Sequence, residues 1–481
     1  MIRGLVEKGS FQSALRQLET VDSPSVTQNL LMFEINRELG RYDLAWQILG
    51  EVQARNPLGD ELLATMVEKV YLLYRENKLS SALLIIEQIR QRFPSMDDLN
   101  KDLGQIAYVK SYSLAGNLAW RMGKFEHMKD NYERALELSQ VIDHTYSLAH
   151  ALIGLGNLAK VQGDYLTSIS YYQTVMYTAI GSNNQKFEAY AHNNLGEIYR
   201  SLGRIEEAII EFNLANQYFS NQLSLGPLTV TIFNLGICYY ILEDYISAMN
   251  YFSYALQMAK ETNYIYQIWD IIIPLLIIQS KNDNPDALSQ IYQELLAMFR
   301  DEADELFEHI KLLLDGIYHF SQKSLKHRVQ AQEIFEQLAQ ESLDIEYKKV
   351  VLIFLIEIKI DEYIIYRQEQ ELDEIEALFT QLQDPKKFGP LFEIRIVMLE
   401  AKVHELRNNV TAAIELLRSA LALSKSFGLD NQRFEIIDTI RYLTSKYEET
   451  QEPAVGQEDI DEEVMESYID LLKKHLSNRM T

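Results

Sequence analysis

The sequence predicts an all-α solenoid of about eleven stacked helical hairpins. Three observations predict it. Four segments align without gaps at a period of 40 residues. Within each segment the apolar residues recur at helical spacing. Nine prolines and 20 glycines in 481 residues are few, which suits long helices joined by short turns. A chain of this length exceeds one compact core and either divides into domains or grows by repetition.

The four segments begin LAGNLAWRMGKF, GLGNLAKVQGDY, NLGEIYRSLGRI and NLGICYYILEDY. Gly116, Gly156, Gly196 and Gly236 share one column, and Gly123, Gly163, Gly203 and Glu243 a second. Phe125, Tyr165, Ile205 and Tyr245 follow, then Met128, Ser168, Ala208 and Ala248. The last two columns are Tyr132, Tyr172, Phe212 and Phe252, and Ala135, Val175, Ala215 and Ala255. The first glycine lets two helices approach closely. The second sits at the turn, where positive φ is cheap for glycine. The small residue after the turn lies where backbones nearly touch. The aromatic four residues later shares its helical face and fills the gap to the next unit.

Towards the N-terminus the half-motif recurs as Gly40, Tyr42, Ala45 and Leu49, and as Asn77, Leu79, Ala82 and Ile86. Gly9, Phe11 and Ala14 begin an earlier unit with almost no first helix. Towards the C-terminus it weakens. Asn282 with Ala287, Arg328 with Ala331 and Phe335, Leu372 with Ile375 and Phe379, and Val410 with Ala413 and Leu417 mark four degenerate units. Arg328 is out of place in an otherwise apolar column.

On these columns the sequence resembles the tetratricopeptide family, strongly over residues 110–262, with Pro57 and Pro94 where the family often ends a helix. Units of 40 residues are similar to those of kinesin light chains, Leu-Gly-Asn-type scaffolds and bacterial peptide receptors. The resemblance implies a right-handed superhelix. It organises the chain as N-terminal repeats (1–99), regular repeats (100–262) and degenerate repeats (263–447). An acidic linker (448–463) with Pro453 and Gly456 and a C-terminal amphipathic helix (464–481) follow. Met465, Ile469, Leu472 and Leu476 make the helix's apolar stripe. It reads as a cap on the solenoid, or else as an occupant of a groove of its own chain or of a neighbour, or as an exposed helix awaiting a partner.

The resemblance also implies that the first helix of each hairpin lines a concave surface. The register then places Lys110, Asn117 and Trp120 there, with His150, Asn157 and Lys160 from the next unit. Tyr190, Asn193, Asn194, Glu197 and Arg200, then Phe233, Asn234 and Tyr240, continue it. Asparagine both donates to and accepts from a peptide backbone, and aromatics and long cations anchor side chains. The expected partner is a protein or peptide segment. Asn117 and Asn157 can equally bond within the scaffold. The family's carboxylate clamp needs cations where this chain has Ile153, Val230 and Asn234, so capture of a C-terminal tail is not expected.

A net charge of −25 disfavours nucleic acid. The densest basic cluster, Lys323, Lys326, His327 and Arg328, reads as a solvated turn. The apolar runs Ile271 to Ile278 and Val350 to Ile356 are too short to span a membrane. The acidic string Asp301, Glu302, Asp304, Glu305 and Glu308 reads as a solvated helix face. One cysteine, Cys238, excludes an intrachain disulfide and, with no recognisable leader, suggests a cytoplasmic protein. No phosphate-binding loop, dinucleotide fingerprint or paired metal ligands occur, so no cofactor and no enzymatic activity are expected. The expected role is an interaction scaffold or adaptor. The alternatives are a peptide-sensing regulator, or a solenoid that self-associates through its ends or its C-terminal helix.

Overall fold

The computed structural model describes residues 2–7, 10–76, 78–242, 244–262, 271–272, 274–275, 289, 292–293, 305–322, 324–341, 345–382, 390–427 and 429–448. Among these residues there are 21 α-helices and no strands. The expectations at Gly9, Asn77, Glu243, Asn282, Ala287, Asp301, Glu302, Asp304, Lys323 and residues 449–481 lie outside them.

The helices come in hairpins. They are α1 (Ile2–Glu7) and α2 (Phe11–Leu18), α3 (Val26–Glu38) and α4 (Tyr42–Ala54), and α5 (Gly59–Arg75) and α6 (Leu79–Arg92). The regular region follows: α7 (Ile106–Arg121) and α8 (Phe125–Val141), α9 (Thr145–Val161) and α10 (Tyr165–Gly181), α11 (Gln185–Ser201) and α12 (Ile205–Gln222), and α13 (Leu225–Ile241) and α14 (Tyr245–Glu261). Each column residue from Phe125 to Tyr245 opens a second helix. Later come α15 (Glu305–Ser321) and α16 (Leu325–Gln340), α17 (Ile345–Tyr366) and α18 (Glu369–Gln381), α19 (Pro390–Leu406) and α20 (Val410–Ser426), and a last helix α21 (Asp430–Glu448). No described helix is long and apolar enough to cross a membrane.

Each column does a physical job. A Cβ placed on Gly116 would stand 2.8 Å from the Tyr132 ring, and on Gly156 2.5 Å from Tyr172. Gly196 meets Phe212 at 2.8 Å and Gly236 meets Phe252 at 2.7 Å. The glycine is therefore the socket for the aromatic of its own hairpin. Met128, Ser168, Ala208 and Ala248 are wholly buried beside it. Gly123, Gly163 and Gly203 have φ of +67°, +78° and +73°. The carbonyls freed at the end of the first helix are recovered there, as in Lys124 N–H to Ala119 O at 2.8 Å.

A second turn, between units, repeats the same geometry with other residues. Asp143, Asn183 and Leu223 have φ of 52°, 53° and 54°. Aspartate and asparagine tolerate this conformation, whereas leucine takes it at a cost of about 1–2 kcal/mol.

The chain forms two compact units. The first comprises residues 1–200, 205–240 and 246–271, and the second comprises 201–204, 241–245 and 272–481. In the first, α3, α5, α7 and α9 stack on one another in order as the first helices of successive hairpins. In the second, Gly316 again receives an aromatic, Phe335, 2.6 Å from its would-be Cβ. Arg328 keeps its column, three residues before the buried Ala331 and seven before the buried Phe335, but α16 begins a turn earlier, at Leu325. It lies inside the helix, paired with Asp361 and stacked 4.3 Å from the Phe320 ring centre. The unit is a hairpin despite that residue.

Candidate functional site

The candidate residues sit on the first helices of four consecutive hairpins, α7, α9, α11 and α13. The aromatic column is wired to two of them. The Tyr132 hydroxyl donates to Asn117 Oδ1, and the Tyr172 hydroxyl donates to Asn157 Oδ1 at 2.7 Å. These two hairpins are thus hydrogen-bonded across their glycine sockets, whereas Phe212 and Phe252 of the next two have no hydroxyl to do so. The two asparagines then offer a partner chiefly their N–H donors.

Glu197 on α11 gathers the next group. It accepts from Lys160 Nζ on α9, from Asn193 Nδ2 at 3.2 Å and from Asn234 Nδ2 on α13 at 3.3 Å. The Thr231 hydroxyl donates to Asn193 Oδ1 at 3.1 Å. Burial pushes the Glu197 carboxyl up, but Lys160 and then Arg200 hold it below the ordinary carboxylate range. Lys160, Asn193, Glu197 and Asn234 therefore form one polar ladder across three hairpins. Asn194 is buried on α11 beside Asn193, Arg200 and Tyr240 are half-buried near the ends of α11 and α13, and Trp120 is 40% exposed at the end of α7. Phe233 lies 5.7 Å from Phe252, ring centre to ring centre.

Lys110, His150 and Tyr190 belong to a different environment, which sequence reasoning missed. They face α3, a helix buried on every side: Leu30, Phe33, Glu34, Ile35, Asn36 and Arg37 are all inaccessible. Lys110 pairs with Glu34 at 3.2 Å and with Glu68 of α5 at 3.8 Å. Arg37 pairs with Glu68 at 3.3 Å and with Glu38 at 2.8 Å. Lys186, near the start of α11, reaches across to Glu38 at 3.0 Å and donates to the Tyr146 hydroxyl at 2.8 Å. Its ammonium is ringed by Phe11, Tyr146, Phe187 and Tyr190, with centres 4.9 to 5.9 Å away. Three carboxylates and three cations thus close the interior of the first unit. The same closure brings Arg75 of α5 to the Thr262 carbonyl at 2.7 Å, and Leu225 against Gly40.

Burial raises the Glu38 carboxyl, but Lys186 and Arg37 outweigh it and hold the group at about 2. Glu34 is likewise held well below the carboxylate range by Lys110 and Arg37 against burial. Burial, aided by Lys186, drives the His150 imidazole down to about 3 from its ordinary 6.5. The unfolded chain therefore takes up that proton near pH 6.5, and the folded chain only near pH 3. Stability secured by neutral His150 is complete above pH 6.5 and is lost as pH falls towards 3. Glu38 adds a further loss between pH 4.5 and 2, again because the folded value is the lower. Thermal melts by circular dichroism should fall below pH 6.5, at up to ~1.4 kcal/mol per pH unit from the imidazole. His150→Phe should remove the part of the fall between pH 6.5 and 4.5.

Models of the tetratricopeptide repeat match residues 109–141 and 147–216. No curated protein sequence matches. Among solved structures, the apo quorum sensor NprR from B. thuringiensis is similar, at 13% identity and a TM-score of 0.50. The similarity covers 74% of this chain and 98% of that one. A Rap protein solved with competence and sporulation factor is similar at 17% identity and a TM-score of 0.51, covering 79% of this chain and 99% of that one. At these identities the likeness is one of fold.

Proposed function

We propose that this chain, a tetratricopeptide-repeat protein, is a non-catalytic interaction protein that holds a peptide segment against the first helices of its regular repeats. The observation that carries this is the polar ladder of Lys160, Asn193, Glu197 and Asn234, flanked by Asn157 and Asn194. Amides spaced along successive helices can bond an extended or helical backbone without reading its sequence. Aromatic neighbours such as Trp120, Phe233 and Tyr240 would supply anchoring. The fold shared with NprR, and with a Rap protein solved with competence and sporulation factor, supports a peptide-sensing form of the same reading. The single cysteine, whose thiol burial pushes up to about 11, is consistent with a reducing cytoplasm.

Affinity capture from the native host, followed by calorimetry with the captured peptide or protein, tests the reading. Asn157→Ala, Asn194→Ala and Asn234→Ala together should weaken binding at least tenfold while the helical signal is kept. Unchanged affinity in a folded triple variant would place the partner elsewhere. Recovery of the chain alone would favour self-assembly.

A further inference from the structure

A groove of about 410 Å³ runs between the end of α4, one face of α5 and one face of α6. We propose that it binds a short acidic peptide segment of a partner protein, one with apolar residues between its carboxylates. The groove shares no residue with the polar ladder, so this is a second site beyond the reading above.

Helical spacing builds the groove. Leu62, Met66 and Lys69 recur at i, i+4 and i+7 on one face of α5, and Ile85, Gln88 and Arg92 at i, i+3 and i+7 on α6. Leu62, Met66 and Ile85 are half-buried against the core and make an apolar floor. The two helices of this hairpin run antiparallel, so Lys69 and Arg92 stand towards opposite ends of that floor, about 10 Å apart along the axis. The α4–α5 connection makes the third wall, and it is rigid. Asn56 sits at φ 51°, Pro57 fixes the next φ, and Arg55 Nη1 donates to the Pro24 carbonyl at 2.7 Å.

Two features of the lining point to a ligand and to its charge. Leu58 ends that connection, at the capping position of α5, with its side chain 73% exposed. Helices favour Ser, Thr, Asp or Asn there, because those side chains bond the free amides. Leucine caps nothing and buries little, so it does little for the fold, yet it gives the groove an apolar lip. The second feature is charge. The chain has 70 acidic residues against 45 basic, but the groove is lined by two cations and no carboxylate. Among the described residues, neither Lys69 nor Arg92 has an ion-pair partner. Gln53, Asn56 and Gln88 line it too, and carboxamides serve a peptide backbone as donor and acceptor, which an acyl chain does not need. An extended segment of four residues spans about 10 Å between its ends. Two acidic residues flanking two apolar ones therefore match the cations above the floor.

The test uses the full chain and the fluorescein-labelled peptide Gly-Ser-Glu-Leu-Leu-Glu-Ser-Gly, read by anisotropy. One control peptide carries lysine for both glutamates, and another serine for both leucines. Wild type should bind the acidic peptide about tenfold more tightly than either control. Lys69→Glu with Arg92→Glu should invert the preference, favouring the lysine peptide. Leu58→Ser should weaken binding about threefold while the melting temperature is kept or raised, since serine is the better cap. If the charge-reversed variant does not fold, Leu58→Ser decides. Equal affinity for the three peptides, or Leu58→Ser without effect on binding, would overturn the proposal. So would a charge-reversed protein that still prefers glutamate. Octanoate bound more tightly than the peptide would give the groove to an acyl carboxylate instead. A dimer in sedimentation that Leu58→Ser dissolves would give it to a second copy of the chain. If the acidic peptide is lost in the Asn157→Ala, Asn194→Ala, Asn234→Ala variant, it sits on the regular repeats; the earlier reading then stands and this one fails.

Discussion

Lys186→Met should destabilise the first unit by about 3–5 kcal/mol, because it leaves the Glu38 carboxylate buried without its cation. Lys186 is 2% exposed, so water cannot replace the lost ammonium. Glu38 would retain only Arg37, which it shares with Glu68. Methionine fills the same aromatic ring of Phe11, Tyr146, Phe187 and Tyr190, so the loss reports charge and not a cavity. The double variant Glu38→Leu, Lys186→Met should therefore recover most of it, since removing both members of a buried pair is often neutral. Hydrogen exchange of α3 and α11 is the measurement, because it resolves the first unit from the rest of the chain. A single variant as stable as the double would mean that the pair is solvated and that α3 is held by apolar contact alone.

The two parts of the candidate site differed in how far the sequence disclosed them. Gly116 and Tyr132 are sixteen residues apart in every regular unit, so the socket and its aromatic were legible from spacing. The same register placed Lys160, Asn193, Glu197 and Asn234 on successive helices, and the ladder joins them. It left open whether Asn117 and Asn157 bond within the scaffold, and it could not name the tyrosine hydroxyls as their partners, because a tyrosine and a phenylalanine fill that column equally well. The closure by α3 was not legible. In sequence Glu34, Arg37 and Glu38 look like a charged surface patch at helical spacing. Their partners are far off in the chain, Lys110 for Glu34 and, farther still, Lys186 for Glu38, and only the curvature of the stacked hairpins brings them together. One signal was available: α3 has no apolar stripe set against a polar face, as expected for a helix enclosed on all sides. Arg328 shows the converse failure. A one-turn extension at the start of α16 puts it inside the helix, where Asp361 and the Phe320 ring accept a cation in a column that elsewhere opens the helix with an apolar residue.

Gly154→Val should cost about 3 kcal/mol, the upper range for forcing atoms into a filled core. Gly154 lies two residues before the socket column, where the other units carry Leu114, Asn194 and Asn234. A Cβ there would stand 2.2 Å from the Tyr132 ring, closer than at any socket glycine. Tyr132 also abuts Gly116 and is bonded through its hydroxyl to Asn117. The ring is therefore gripped between α7 and α9 and cannot swing aside. Two other glycines separate this steric demand from ordinary glycine effects. Gly123 has open space around it but φ of +67°, so Gly123→Ala should cost about 1 kcal/mol through backbone strain alone. Gly50, inside α4 with nothing within 4 Å, should gain roughly 0.5–1 kcal/mol as alanine. Pairing Gly154→Val with Tyr132→Leu should restore part of the loss, because the smaller side chain vacates the contested volume. Chemical denaturation of the four variants orders them. If Gly154→Val and Gly123→Ala prove equal, the interlock of Tyr132 between neighbouring hairpins does not set the spacing of the repeat.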